Sequence, residues 1–135
     1  MKKVIIIEDS PTFCNMLGKK LEAKGWKTIL CYNYRDGLKA VKESSEWNVV
    51  ISDMRLGNDN GIDLFEWLRS NGYQNPFIIM TSYDESMSAV RTMKLGAEDY
   101  IPKKLLLDVV YERLEEIIDK QKRLVELNNK IAYRK

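Results

Sequence analysis

Short runs of consecutive apolar residues alternate with longer stretches in which apolar residues recur every three or four positions, and this happens five times along the chain. The runs near 3–8, 28–33, 48–53, 76–81 and 98–102 are short and rich in β-branched or aromatic residues, which predicts strands, the last being the weakest. The first helical stretch takes Ser10 as N-cap and Pro11 as first helical residue, carries Phe13, Leu17 and Leu21 four apart, and stops at Gly25. The second is "YRDGLKAVKESS". The third runs from about Gly61 to Ser70, with Leu64 and Leu68 inward, before the breaker "NGYQNP". The fourth, "DESMSAVRTMKLG", puts Met87 and Val90 on one face and ends at Gly96. The fifth starts near Leu105 and meets no Gly or Pro up to Lys135.

Near-continuous apolar strands alternating with amphipathic helices imply a parallel sheet covered on both faces. Five such units suit an open, doubly wound α/β sheet and are too few for an eight-stranded barrel. In these sheets the ligand site lies at the carboxyl ends of the strands. Two strands here run straight into acids: "VIII" into Glu8 and Asp9, and "VVIS" into Asp53. Thr81 and Lys103 fall at or just after the ends of the fourth and fifth strands, so all five residues converge on one sheet edge.

Composition narrows the chemistry. The 135 residues fit one domain, and 44% hydrophobic with 31% charged residues is an ordinary globular balance. A net charge of +2 offers no stripe for nucleic acid or an anionic membrane, and no apolar run approaches a membrane span. The four apolar residues after the charged start are too short for a signal peptide, so the expected location is cytoplasmic. Cys14 and Cys31 lack metal-ligand spacing and read as reduced, packed thiols. There is no histidine, which removes the commonest general base and zinc ligand. Three carboxylates gathered at a sheet edge repel one another unless a cation intervenes, and an oxygen-only ligand set with room for water suits Mg2+.

The chain resembles the receiver domain of two-component response regulators over about residues 1–120, through "IIIEDS", "YRDGLKAV", "VVISDMRLGNDNGIDLFEWLR", "PFIIMTS" and "GAEDYIPKK" in that order. The resemblance implies the strand order 2-1-3-4-5. It further implies that Asp53 accepts a phosphoryl group from a phosphohistidine on a sensor histidine kinase or phosphotransfer protein. Glu8 and Asp9, with Asp53 and the backbone carbonyl of Arg55, would hold Mg2+, and Lys103 would offset charge on the phosphoryl oxygens. Thr81 and Tyr100 match the family's switch pair. Arg55 and Tyr83 match the positions that tune dephosphorylation, and Gly61 falls where the family opens its third helix. The chain is then a signalling switch, not a metabolic enzyme, read out on the face of the fourth helix, fifth strand and fifth helix.

Two departures stand out. The order Pro102-Lys103-Lys104 replaces the family's Lys-Pro, which leaves Lys104 as a rival to Lys103. Gly57 replaces a frequent proline after the phosphoacceptor, which predicts a less rigid loop. Three other functions compete with this reading. An aspartyl-phosphate hydrolase usually has a second Asp two residues past the nucleophile, where this chain has Arg55. A docking module independent of phosphate would not need Asp9, Asp53, Thr81 and Lys103 together. A P-loop nucleotidase is excluded, because no glycine-rich loop ending in Lys-Ser/Thr follows the first strand.

Residues 121–135 are expected to form a helical extension, a linker or a coiled coil. Leu107, Val110, Leu114, Ile117, Gln121, Leu124, Asn128 and Ile131 follow spacings of three and four, an a/d seam with Gln121 and Asn128 at a positions. A homodimer through this helix or through the switch face is the expected assembly. No direct nucleic-acid contact is expected, and the chain reads as a stand-alone regulator or an excised receiver.

Overall fold

The computed structural model describes residues 2–44, 46–82, 90–91, 93–94 and 96–133. Strands β1 (Lys3–Ile7), β2 (Lys27–Cys31), β3 (Val49–Asp53), β6 (Phe77–Thr81) and β7 (Asp99–Pro102) form one parallel sheet in the order β2-β1-β3-β6-β7. Counting only these five strands, that is the expected 2-1-3-4-5. The extra labels belong to β4 (Arg55–Leu56) and β5 (Asp59–Asn60), a two-residue antiparallel ladder inserted after β3.

The strands sort their side chains by parity, as a pleated strand must. Val4, Ile6, Val49, Ile51, Ile78 and Met80 point to one face, packed with α1 (Pro11–Glu22) and the C-terminal helix (Lys103–Tyr133). Ile5, Ile7, Val50, Phe77 and Ile79 point to the other, packed with α2 (Tyr34–Glu43) and α3 (Gly61–Ser70). Along β1, β3 and β6 both faces are buried, which explains why these strands read as nearly unbroken apolar runs, whereas the edge strands β2 and β7 are only partly covered.

The helix starts follow cap chemistry. Ser10, Asn33 and Asn60 accept backbone N–H bonds from Phe13, Asp36 and Ile62, and so open α1, α2 and α3. The cap at Asn33 also ends β2 two residues before the expected boundary. The C-terminal helix starts at Lys103, two residues earlier than expected, directly off β7. Of the fourth helical stretch, residues 90–91 and 93–94 are helical and Val90 is exposed, while Met87 lies outside the described residues.

The a/d seam needs correction where it crosses the sheet. The fully covered row is Leu106, Val110, Leu114 and Ile118, while Leu107 and Ile117 are only partly buried. A seam of period 3.5 drifts by about 20° per heptad around a straight helix, so the row facing a fixed sheet is a different one.

Candidate functional site

Sheet register assembles the site. Ile7 of β1 pairs with Ser52 of β3, so Glu8 continues beside Asp53, and the Glu8 N–H is fixed by Cys31 O at 2.9 Å. Asp53 itself pairs with Met80, which puts Thr81 one residue further along the neighbouring strand. Thr81 pairs with Pro102, so the next residue, Lys103, turns over the edge as the first residue of the helix.

The carboxylates of Glu8, Asp9 and Asp53 each bring an oxygen within 4.8 Å of the others. Glu8 is fully buried, Asp53 nearly so, and Asp9 is exposed. Lys103 Nζ lies 2.7 Å from Asp53 Oδ2 and 2.8 Å from Glu8 Oε2, and it donates to Glu8 Oε1 at 3.1 Å. The Phe13 ring flanks the same ammonium, with its centroid 5.5 Å away. This one ammonium is thus shared between two of the three acids.

The electrostatics record that shortfall. Burial pushes the Glu8 carboxyl up to about 7, against the hydrogen bond from Lys103, with the charge of Asp53 adding to the rise. Burial alone would pull the Lys103 ammonium down, but its hydrogen bonds to Asp53 and Glu8 carry its pKa above the ordinary value. Glu8 Oε2 has the lysine as an ion partner yet accepts no well-formed hydrogen bond. A buried carboxylate oxygen in that state can accept more positive charge.

The loop after Asp53 is shaped around the acids. The Arg55 N–H donates to Asp53 Oδ1 at 3.3 Å, and the Gly57 N–H donates to Asp9 Oδ2 at 3.3 Å. Gly57 has φ +66° at the first position of the two-residue turn joining β4 and β5, a place that suits glycine in a type II′ hairpin. The freedom expected from losing proline is therefore taken up by a hairpin clamped onto Asp9. At the far end of the hairpin, Gly61 donates to Met54 O at 2.8 Å, and a Cβ there would sit 2.2 Å from Asp53 O.

Of the residues singled out in the sequence, Glu8, Asp9, Asp53 and Lys103 meet in one cluster. Lys103, not the exposed Lys104, carries the ammonium that enters it. Thr81 is buried on the adjoining strand end, whereas Tyr100 stands outside the cluster on edge strand β7, 37% exposed. Arg55 is exposed beside the site, and Tyr83 lies outside the described residues. Sequence reasoning missed the roles of Phe13 and Gly57. The signal for the second was present in "RLGNDN", where the Gly-Asn pair is a glycine-led two-residue turn between Arg55-Leu56 and Asp59-Asn60. Cys14 and Cys31 are buried free thiols, pushed by burial up to about 11 and about 12, which suits inert packing. Among the described residues no helix is long and apolar enough to cross a membrane.

Comparison with known proteins agrees with this geometry. Residues 4–115 match the response regulator receiver domain family. The acid tolerance regulatory protein ActR of Sinorhizobium medicae is 31% identical over 76% of this chain and 52% of its own length. The two-component response regulator PprB of Pseudomonas aeruginosa is 31% identical over 96% of this chain and 51% of its own. The chain therefore spans about half the length of these curated relatives. Among solved structures, a receiver domain protein from Clostridium thermocellum superposes with a TM-score of 0.85 at 23% identity, covering 92% of this chain and 99% of that one. The response regulator TrrA of Thermotoga maritima, solved in complex with Mg2+-BeF, superposes with a TM-score of 0.76 at 20% identity, covering 87% and 99%. With the family matched over most of its length and the fold shared, this chain belongs to the response regulator receiver domains.

Proposed function

We propose that the chain is a phosphorylation-controlled switch whose phosphoacceptor is Asp53. The observation that carries the reading is the placement of Lys103 Nζ against both Asp53 and Glu8 at the mouth of an acid cluster. A carboxylate oxygen of Asp53 attacks the phosphorus of a phosphohistidine on a histidine kinase or phosphotransfer protein. The new P–O bond forms as the P–N bond breaks, and the imidazole leaves with its electron pair and takes up a proton. The absence of histidine from this chain means that the donor is another protein or domain.

The donor set fits a hard divalent cation: all-oxygen ligands from Glu8, Asp9 and Asp53, with the Arg55 carbonyl on the adjoining segment, and a buried Glu8 oxygen lacking a hydrogen bond. Bound Mg2+ would supply charge neutralisation at the phosphoryl oxygens. This chain's own residues do the rest. Lys103 holds the acceptor carboxylate in place and offers its ammonium to the incoming group. The Gly57 N–H orients Asp9. Thr81 offers a hydroxyl on the next strand, where a phosphoryl oxygen can draw it, while Tyr100 on β7 reports the change to the outer face. Such a domain assists its own phosphorylation and dephosphorylation, with Arg55 and Tyr83 tuning access of water, and turns over no metabolite. The receiver unit takes in residues 1–120, the extension residues 121–135, and the setting is cytoplasmic.

The test is intact mass after incubation with a small acyl-phosphate donor and Mg2+. The wild-type chain is expected to gain one phosphoryl group and Asp53→Asn none. Equal uptake by the variant would sink the assignment.

A further inference from the structure

Eight large apolar residues among those described are conspicuously exposed, and four of them crowd into the overhanging end of the C-terminal helix: Leu124, Val125, Leu127 and Ile131, each 50–59% exposed. The last core-facing residue of that helix is Ile118. Beyond it the helix runs on to Tyr133 and walls an open groove of about 710 Å3, with Leu124 and Val125 on one side and Lys2 and Asn48 at the foot of the sheet. Four side chains of this size, each about half exposed, leave on the order of 350 Å2 of apolar surface per copy, the scale at which a contiguous patch marks an interaction surface.

We propose that residues 121–131 of two copies of this chain pair as a short, parallel, two-stranded coiled coil. Three features choose a second copy over other occupants. The charged residues of the segment, Lys122, Arg123, Glu126 and Lys130, all fall on b, c and f positions, so none sits on the seam. The centre of the apolar stripe holds Gln121 and Asn128, amides that a lipid interior or a plain apolar groove would leave unpaired. In parallel register Gln121 meets Gln121 and Asn128 meets Asn128, so each amide finds a partner. In an antiparallel pair centred on the segment, Asn128 would face Leu124 and Gln121 would face Ile131, which strands both.

The strength follows from the area. Two such faces bury on the order of 700 Å2, short of the roughly 1,200 Å2 of a stable standard interface. The pair is therefore weak and reversible, and it depends on ionic strength. Residues 120–135 contain six basic residues and one acid, Glu126, a net charge of 6 − 1 = +5, so two copies repel. Added salt screens that repulsion and tightens the pair, whereas it would loosen attraction to an anionic membrane or an acidic partner.

Sedimentation of the full chain from about 10 µM to about 1 mM, in low and high salt, tests this. The expected result is a monomer–dimer equilibrium that shifts toward dimer as salt rises, and that Leu124→Glu with Ile131→Glu abolishes. These side chains lie outside the core, so the double variant keeps the wild-type unfolding midpoint. Asn128→Cys should form a disulfide with itself under mild oxidation, the native thiols being buried. A monomer throughout the range overturns the proposal, as does a dimer that the double substitution leaves intact. A dimer in which Asn128→Cys does not cross-link overturns the parallel register. Binding to anionic vesicles without self-association assigns the stripe to a membrane instead and likewise overturns it.

Discussion

Adding one methyl group at Gly61 should disturb Asp53, the proposed phosphoacceptor, more than any change of similar size nearby. The added Cβ would lie 2.2 Å from Asp53 O, 2.9 Å from Ser52 Oγ and 3.2 Å from Asp53 C. Ordinary carbon contacts begin near 3.5 Å, so the first of these is short by about 1 Å. No rotamer relieves it, because the obstacle is the backbone carbonyl of Asp53. Either the start of α3 moves outward or the Asp53 peptide turns. Overpacking of this kind costs about 1–3 kcal/mol, against the fraction of a kcal/mol that alanine gains over glycine in a helix. A displacement of about 1 Å at a reacting group costs on the order of 100-fold in rate. Gly72→Ala is the matched control. Nothing lies within 4 Å of its added Cβ, and its φ of +84° makes the penalty purely conformational, about 1–2 kcal/mol, in a turn beyond the far end of α3. Single-turnover phosphorylation by an acyl-phosphate donor, followed by intact mass, and urea unfolding of the same samples separate the two effects. Gly61→Ala should lose both rate and stability, while Gly72→Ala should lose mainly stability. If Gly61→Ala accepts phosphate at the wild-type rate with an unchanged urea midpoint, the close approach of α3 to Asp53 does not govern the site.

Three further outcomes are expected. Titration with Mg2+ should shift the backbone amides of Glu8, Asp9, Asp53 and Arg55 together, and Asp9→Ala should weaken the affinity; unchanged affinity would show that the ligands are misassigned. Thr81→Ala should still accept phosphate but show smaller phosphorylation-linked shifts at Tyr100, and undiminished shifts would disconnect the two. In metal-free protein, Glu8 carries a folded pKa of about 7 against an ordinary 4.5, so the stability it contributes is full below about 4.5 and is lost as pH rises through 7. Urea unfolding in chelator should therefore show about 2 kcal/mol less stability at pH 8 than at pH 5.5, a difference that Glu8→Gln removes; the same difference in the variant would assign it to other groups.

Much of this arrangement was legible because it rests on short-range rules. Val4–Ile7 and Val49–Ile51 are covered on both faces, so each reads as an unbroken run and its end is visible as the first acid. Ser10 and Asn60 are caps that local chemistry specifies, and α3 spans Gly61–Ser70 as expected. What escaped was set by distance in the fold. The phenyl ring of Phe13 reaches an ammonium 90 residues away in sequence because α1 and the C-terminal helix share one sheet face. The hairpin at 55–60 was hidden because its ladder is two residues long, too short for any periodicity to register. The seam placed Val110 and Leu114 in the core but misled at Leu107 and Ile117, because heptad spacing is indifferent to whether a helix faces a sheet or a partner helix.

Why strands this apolar should end in acids has an energetic answer. A carboxylate as buried as Glu8 is costly to fold around unless a charge meets it, and here one lysine is divided between Glu8 and Asp53 while Asp9 is left to a backbone N–H. Replacing Glu8 and Asp53 by apolar residues of similar size would remove two buried carboxylates and their mutual repulsion. The arrangement therefore makes sense only for a folded state that is completed from outside. A cation that binds the folded site and not the unfolded chain stabilises it by RT ln(1 + [L]/Kd), and the repulsion among the three acids is what makes that binding favourable. On the proposed reading, a phosphoryl dianion arriving at Asp53 would bring more negative charge and compete with Glu8 for Lys103. Because Lys103 is the first residue of a 31-residue helix, the residue that would feel this competition is joined by about 42 Å of continuous backbone to the apolar end at Ile131. The same side chain that offsets the acids is thus the point at which a change of charge at the site can act on a rigid element leading away from it.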